Sequence, residues 1–266
     1  RVRFRSYLLF MVLFSIFIYS PLAHMTWHPE GLFRKWGVLD FAGGTVVHMS
    51  AGFAALAGAI FLGKRKNPIE HHANVPFVIL GTGLLWFGWF GFNAGSALGV
   101  NSEAIIAFAN TNLASATAMI TWLFYERMVG RKMSAVGACI GAVVGLVAIT
   151  PAAGFVNMGE SIFIGFIAAL ISNWMIHLKN KSGIDDTLDV FPSHGIGGIV
   201  GMLLTGILVS TTVFYWHVIA LIITAIYTFG GSLLLYKIVD LMLTMRVRED
   251  QEERGLDISQ HGEKID

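Results

Sequence analysis

The chain has 266 residues, of which 55% are hydrophobic and 13% are charged, and its net charge is +1. Soluble proteins carry about 25% charged residues, so the composition excludes an ordinary soluble domain and indicates a membrane protein with several spans. The net charge says little about partners, and we expect no nucleic acid among them. The single cysteine, Cys139, excludes an internal disulfide.

Eight apolar runs are long enough to cross a hydrocarbon core about 30 Å thick. Because a backbone in lipid must satisfy its own hydrogen bonds, runs of this length predict helices. In chain order they are 7–23, 41–62, 75–98, 104–125, 134–150, 161–178, 190–209 and 214–236. We therefore predict an all-α polytopic membrane protein with about eight transmembrane helices. Six glycines between positions 81 and 99 suggest that the third run packs closely against a neighbour.

The connections between these runs alternate in charge. One set, which includes both ends of the chain, carries 16 of the 18 Lys and Arg residues, and the other carries only Arg34 and Lys35. Because basic residues concentrate in cytoplasmic loops, the first set is predicted to be cytoplasmic. We divide the chain into a transmembrane domain, residues 1–245, and a polar cytoplasmic tail, residues 246–266, and expect a multi-pass protein of the inner (plasma) membrane.

Two histidines stand inside apolar runs. The stretch LDFAGGTVVHMSAG places His48 eight residues after Asp40, and LDVFPSHGIGGIVG places His194 five residues after Asp189. A rise of 1.5 Å per residue puts His48 about 12 Å along its helix from Asp40, and an ionisable group at that depth is a candidate functional residue. The two spans run in opposite directions, which suggests an inverted repeat with a site near the membrane midplane.

Two neutral imidazoles that share a proton would make a short polar patch in a dry path. Such a patch suits a small molecule that both donates and accepts hydrogen bonds, or a proton relay. Two alternatives stay open: the histidines only hold the bundle together, or they ligate a haem. Our expectation is that the protein needs no cofactor and is not an enzyme.

Several other residues are candidates with weaker signals. Asp40 is interpreted first as an N-cap that accepts from free backbone N–H groups. Trp27 is either an interface anchor or a cation-binding ring, and Phe92 and Ser96 offer a ring and a hydroxyl to the same cation. Asp189 repeats the arrangement of Asp40. Asp185 and Asp186 are interpreted as structural loop charges.

Five motifs in fixed order resemble the ammonium transporter family. They are LDFAGGTVVHMSAG, GWFGFNAGSAL, TPAAGFV, DDTLDVFPSHGIGGIVG and RGLD-x-x-x-HGE. The resemblance covers essentially the whole chain and is closer to the bacterial branch. It implies a fold of eleven spans with inverted repeats, of which this chain resembles spans four to eleven, so we expect three further spans before Arg1.

The resemblance also implies roles for the candidates. Trp27 and Ser96 match the outer ammonium site, and Phe92 matches the inner of two gate phenylalanines. Asp40 matches the aspartate that holds the outer vestibule. The remaining matches are the twin pore histidines, His48 and His194, and the acidic motif, Asp186 and Asp189.

The resemblance further implies a homotrimer and a tail that binds a PII-type nitrogen regulator. The expected function is transport of ammonium, or of its analogue methylammonium, across a lipid membrane. Ammonium would bind at the outer site and lose its proton behind Phe92, ammonia would pass the histidines, and the proton would be relayed separately. The alternative is a sensor that binds ammonium and signals without net flux.

Overall fold

The computed structural model describes residues 1–66, 68, 74–209 and 211–263. Within them the chain is helical, and the only β-type pairing is an isolated bridge between Val2 and Arg246. The helices are α1 (Phe4–Phe14), α2 (Ser20–Trp27), α3 (Leu32–Lys35), α4 (Ser50–Leu62), α5 (Val75–Gly95), α6 (Ser102–Met128), α7 (Ala135–Ile149), α8 (Met158–Ser182), α9 (Gly197–Val209), α10 (Phe214–Met242) and α11 (Glu249–Arg254).

Each of the eight predicted apolar runs forms a helical segment. Seven segments in the described residues are long and apolar enough to span a membrane, and the eighth, α7, has 15 residues. The predicted fold class is thus confirmed. α7 is shorter because Thr150 and Pro151 follow it directly, and proline cannot continue a helix.

Four π-helical turns interrupt or extend the helices. Ser15–Tyr19 joins α1 to α2, and Asp257–His261 lies in the tail. The other two, Gly44–Met49 and Phe191–Ile196, precede α4 and α9 and contain the two predicted pore histidines. Single π-turns inside helices are frequent at functional sites.

Small residues bring the central helices α6, α7 and α8 together. A Cβ atom at Gly145 would lie 2.5 Å from the carbonyl oxygen of Ala114, and one at Gly165 would lie 2.3 Å from the same atom. Only glycine fits there, as expected for helices that pack through backbone contact in lipid.

The glycine-rich third run does not behave as predicted within the described chain. A Cβ atom at Gly81, Gly83, Gly88, Gly91 or Gly95 would meet nothing within 4 Å. α5 carries these glycines on a surface left open by the neighbouring helices, with Phe87 and Leu84 also exposed. The prediction that the third run packs closely against a neighbour through its glycines was therefore wrong within the described residues.

The C-terminal tail, residues 246–266, begins with buried packing. Val247 is buried, as is Met245 just before the tail, and the Arg246 guanidinium donates to the carbonyl oxygens of Leu62 at 2.5 Å and Lys64 at 2.7 Å. Glu252 accepts a further bond from Arg246 at 3.1 Å. The first residues of the tail are consequently attached to the end of α4, whereas the polar composition suggested a freely solvated segment.

An ion cluster at the same end of the bundle joins three parts of the chain. The Asp185 carboxylate accepts from the Arg65 side chain at 2.8 Å, from the Arg65 backbone N–H at 2.8 Å, and pairs with Arg1 at 3.3 Å. Burial alone would raise the pKa of Asp185, but the Arg65 hydrogen bonds and the charge of Arg1 outweigh it and lower the pKa from 3.8 to about 2.

This pKa gives a pH-dependent stability prediction. Because the folded pKa lies below the unfolded value, the ionised carboxylate stabilises the folded protein by about 2 kcal/mol above pH 4. The contribution is lost as the pH falls from about 4 to about 2. We expect Asp185→Asn to lower the free energy of unfolding by about this amount at pH 7 and the difference from wild type to shrink with acid. Thermal unfolding of the full-length protein in detergent measures it.

The control is Asp250→Asn, which removes an exposed ion pair with Arg248 and should leave the unfolding temperature unchanged. An Asp185→Asn protein as stable as the wild type at pH 7 would contradict the proposed contribution.

Candidate functional site

The two histidines predicted to line a pore meet side by side. The Nδ1 atoms of His48 and His194 are 3.2 Å apart, and their ring centroids are 5.3 Å apart. His48 is 2% exposed, and His194 is half-buried. Each ring uses its Nδ1 atom on the other ring, so neither Nδ1 is free to ligate a haem iron. The sequence prediction that the opposed spans bring these side chains together agrees with this geometry.

Glycine makes this meeting possible. A Cβ atom at Gly52 would lie 2.2 Å from the backbone nitrogen of Gly195, and one at Gly198 would lie 3.2 Å from the Cβ atom of His48. The two histidine-bearing segments therefore cross at backbone contact. Any larger residue at Gly52 would separate the rings.

The hydroxyl of Thr150 fixes the protonation pattern of the pair. Thr150 Oγ1 lies 2.8 Å from the carbonyl oxygen of Leu146, 3.0 Å from Trp89 Nε1 and 3.1 Å from His48 Nε2. The backbone N–H of Thr150 bonds to Val147 instead of Leu146, so the Leu146 carbonyl takes the hydroxyl proton. Thr150 Oγ1 then accepts from both ring nitrogens.

The tautomers follow from this assignment. Since His48 Nε2 carries a proton toward Thr150, a neutral His48 has a bare Nδ1. His194 must then donate from its own Nδ1, which leaves His194 Nε2 as the free acceptor of the pair. The two rings form a hydrogen-bond chain with a defined direction.

Aromatic rings cover one side of His48. Its ring stacks on Trp89 at 5.3 Å and lies 6.1 Å from Phe92, while Trp89 and Phe92 are 5.6 Å apart. Trp89, which the sequence analysis did not single out, contacts both His48 and Thr150. Phe92, predicted as a gate residue, lies directly against the histidine.

Asp40 caps the turn that carries His48. Its Oδ1 accepts from the backbone N–H groups of Gly43 at 2.9 Å and Gly44 at 2.6 Å, and its Oδ2 accepts from Thr45 N at 2.8 Å and Thr45 Oγ1 at 2.5 Å. The capping prediction is confirmed. All four lone-pair sites of the buried carboxylate are used by these hydrogen bonds.

Trp27 and Ser96, predicted to form an outer ammonium site, are both partly exposed. Trp27 is 40% exposed, and its Nε1 donates to the carbonyl oxygen of Asp40 at 2.9 Å. The Ser96 hydroxyl donates to the carbonyl oxygen of Phe92 at 2.8 Å, which leaves its lone pairs free to accept. No hydrogen bond or ring contact joins Trp27 to Ser96 in the described ranges.

The acidic motif lies away from the histidine rings and orders the turn before His194. Asp186 Oδ2 accepts from Phe191 N at 2.7 Å. Asp189 pairs with Lys179 at 2.6 Å and has a φ of 52°, the left-handed region. Burial raises the pKa of Asp186, against the opposing hydrogen bond from Phe191.

Sequence reasoning missed a third buried histidine, His217, on α10. Its Nε2 accepts from Leu39 N at 3.0 Å, and its Nδ1 donates to the carbonyl oxygen of Met202 at 3.1 Å. Both ring nitrogens are used by backbone groups, so His217 holds the segment before Asp40 in place. Its signal was a histidine in an apolar run, the same signal that identified His48.

Comparison with known proteins agrees with this geometry. The family model of the Ammonium Transporter Family matches residues 1–265. An ammonium transporter of Aquifex aeolicus is 46% identical over 99% of this chain and 65% of its own length, and one of Bacillus subtilis is 44% identical over 99% and 69%.

Solved structures have the same fold. The crystal structure of Candida albicans Mep2 matches with a TM-score of 0.87 at 35% identity, over 94% of this chain and 61% of that chain. A protein described as a sensor Amt protein matches with a TM-score of 0.85 at 29% identity, over 94% and 68%. The chain thus spans about two thirds of the length of its relatives. It belongs to the ammonium transporter family.

Proposed function

We propose that the full-length protein transports ammonium across a membrane. The observation that carries the proposal is the buried contact of His48 with His194 behind the aromatic pair Trp89 and Phe92. We further propose that it lies in the plasma membrane with its C-terminus in the cytoplasm, which the distribution of basic residues supports.

The energetics of desolvation favour a deprotonation step. Moving a bare ion into a medium of low dielectric constant costs tens of kcal/mol, whereas one cation–π contact returns only about 2 kcal/mol. Desolvation also favours the neutral form of an amine. Ammonium would bind near Trp27 and Ser96, lose its proton behind Phe92 and pass the histidines as ammonia.

The directed hydrogen-bond chain adds a constraint to proton relay along the histidines. A proton that enters at His48 needs the reversed tautomers: His48 Nε2 accepts it, His48 Nδ1 passes its own proton to His194 Nδ1, and His194 Nε2 releases one. This returns both rings to the tautomers described above, so each further transfer needs a reset. In the reversed state His48 Nε2 is bare, and the Thr150 hydroxyl can rotate from Leu146 O to donate to it. Thr150 is thereby a two-position partner that satisfies His48 in both states.

The alternative function is that of a sensor, which binds ammonium without flux. One of the matching solved structures is described as a sensor Amt protein. Uptake of labelled methylammonium into liposomes containing the full-length protein separates the two functions. Uptake supports transport, and saturable binding without uptake supports sensing.

We also propose a homotrimer and a PII-type regulator at the tail. The exposed apolar side chains of α6 and α8, among them Phe124, Ile162 and Phe166, support contacts between copies. The docking of Arg246 on the end of α4 supports regulation through the tail. Sedimentation analysis in detergent tests the trimer, and co-purification with a PII protein tests the regulator.

The histidine pair gives the first functional prediction. His48→Ala should abolish ammonium-evoked current in proteoliposomes or allow potassium to carry it. The reason is that the substitution removes a polar hydrogen-bonding group from an otherwise apolar path. His177→Ala is the matched control, since His177 is exposed on α8. Unchanged current and selectivity in His48→Ala would remove the pair from the mechanism.

Thr150 gives the second functional prediction. Thr150→Val leaves two buried ring N–H groups without an acceptor, so we expect a loss of about 1–3 kcal/mol of stability and a slower current, whereas Thr150→Ser should keep both. The control is Thr205→Val, because the buried Thr205 hydroxyl bonds only Gly201 O of its own helix. Equal currents in Thr150→Val and Thr150→Ser would disprove the two-position role.

Trp27 gives the third functional prediction. Trp27→Leu should raise the half-saturating ammonium concentration about tenfold, the equivalent of a cation–π contact of somewhat over 1 kcal/mol, and leave the maximal current close to wild type. Trp174→Leu, at an exposed position on α8, controls for loss of a surface ring. A normal half-saturating concentration in Trp27→Leu would assign this residue to anchoring alone.

A further inference from the structure

A second pair of histidines lies at the end of α2, away from His48 and His194. His24 and His28 are four residues apart, and both are exposed. Their rings stack with centroids 4.4 Å apart and planes 16° from parallel. The backbone N–H of His28 donates to the His24 carbonyl oxygen at 3.2 Å, so the two side chains are helical neighbours although α2 itself ends at Trp27.

This histidine pair lies far from the tail. α1, the π-turn Ser15–Tyr19 and α2 follow one another without a break from Phe4 to Trp27, a length of about 36 Å at 1.5 Å per residue. The chain just before α1 lies beside the tail, where Val2 pairs with Arg246. The pair is therefore at the opposite end of this span, and the distribution of basic residues predicts that this end faces outward.

The ring nitrogens of the pair are largely free to bind a ligand. Among the residues that the structure describes, only His28 Nδ1 has a hydrogen-bond partner, the backbone N–H of Glu30 at 3.1 Å. In neutral His28 this bond places the ring proton on Nε2. Binding of a metal by Nε2 moves that proton to Nδ1 and ends the bond. The cost is small, because both groups are exposed and can bond to water instead.

The spacing of the two rings suits one metal ion. Two imidazoles at positions i and i+4 on a helix supply two ligands in zinc sites, and imidazole also suits copper and nickel. Packing does not explain the pair, since both rings are exposed. In the described ranges no group of three or more His, Cys, Asp or Glu side chains could hold a metal, so water must supply the remaining ligands.

We propose that His24 and His28 bind one divalent late transition-metal ion, with one nitrogen of each ring as a ligand. Cu²⁺ binds most tightly, because its complexes with such ligands are more stable than those of Ni²⁺ or Zn²⁺. Mg²⁺ and Ca²⁺ do not bind, because they prefer oxygen ligands. The ion lies near Trp27, which is three residues after His24 and next to His28. Its two positive charges oppose the binding of ammonium at Trp27, a consequence that rests on the proposed function.

Calorimetric titration of the full-length protein, without a histidine tag and in detergent, tests the metal site. Cu²⁺ should bind at a site whose electron paramagnetic resonance spectrum shows splitting from two nitrogen ligands. His24→Gln and His28→Gln should each weaken this binding at least about tenfold, because the remaining imidazole loses the benefit of a second ligand held nearby. Both residues are exposed, so neither substitution disturbs the core.

Two controls remove other histidines. His177→Gln changes an exposed residue of α8, and the double substitution His71→Gln with His72→Gln removes adjacent histidines that lie outside the described residues. Both control proteins should bind Cu²⁺ as the wild type does. Wild-type affinity in His24→Gln or in His28→Gln overturns the proposal, and so does a loss of binding confined to the double substitution.

Currents in proteoliposomes test the effect on ammonium separately. Cu²⁺ on the outer side should raise the half-saturating ammonium concentration several-fold in the wild type, because like charges repel, and should leave that of His28→Gln unchanged. Equal inhibition of the two proteins would refute the effect at Trp27. A wild-type protein without ammonium current in the absence of Cu²⁺ would contradict the proposed function, whereas the calorimetric result would still decide the metal site.

Discussion

The hydrogen bond between His48 and His194 is the interaction on which the rest of the structure depends. Polar rings in the middle of an apolar bundle are costly unless their nitrogens are hydrogen-bonded, and three of the four ring nitrogens have a partner among the described residues. The contact therefore requires the glycine crossing at Gly52 and Gly195, the π-turn that presents each ring, and an acceptor at His48 Nε2. Asp40 serves the same contact by holding the first of these turns through four hydrogen bonds.

Hydroxyl groups have a common function in this arrangement. Thr150 and Ser96 each donate their single proton to a carbonyl oxygen four residues earlier, at 2.8 Å in both cases. A hydroxyl bound in this way presents only lone pairs to its surroundings. Thr150 consequently orients an N–H of His48, and Ser96 has lone pairs free to accept a hydrogen bond. This explains how side chains that are both donor and acceptor can act as acceptors alone.

Much of the fold and part of the site could be predicted from the sequence because the membrane makes the signals strong. Long apolar runs must be helices, and a histidine inside such a run is conspicuous. Thr150 and Trp89 gave no such signal, since threonine and tryptophan are common in apolar helices and only their spatial neighbours give them a role. The glycines of α5 show the opposite error: composition indicated close packing where the described chain leaves an open surface. Val247 in the tail and Met245 just before it are buried, which the polar composition of this segment did not predict.

The acidic motif connects the histidine turns to the opposite end of the bundle. Asp185 binds Arg65, three residues after the end of α4, while its neighbour Asp186 binds the first residue of the turn that carries His194. α4 begins directly after the His48 turn and ends at Leu62, where Arg246 of the tail attaches. Two adjacent carboxylates thus hold the ends of both histidine segments. The tail and the 185–189 segment are thus linked by hydrogen bonds to both of the segments that carry the histidines.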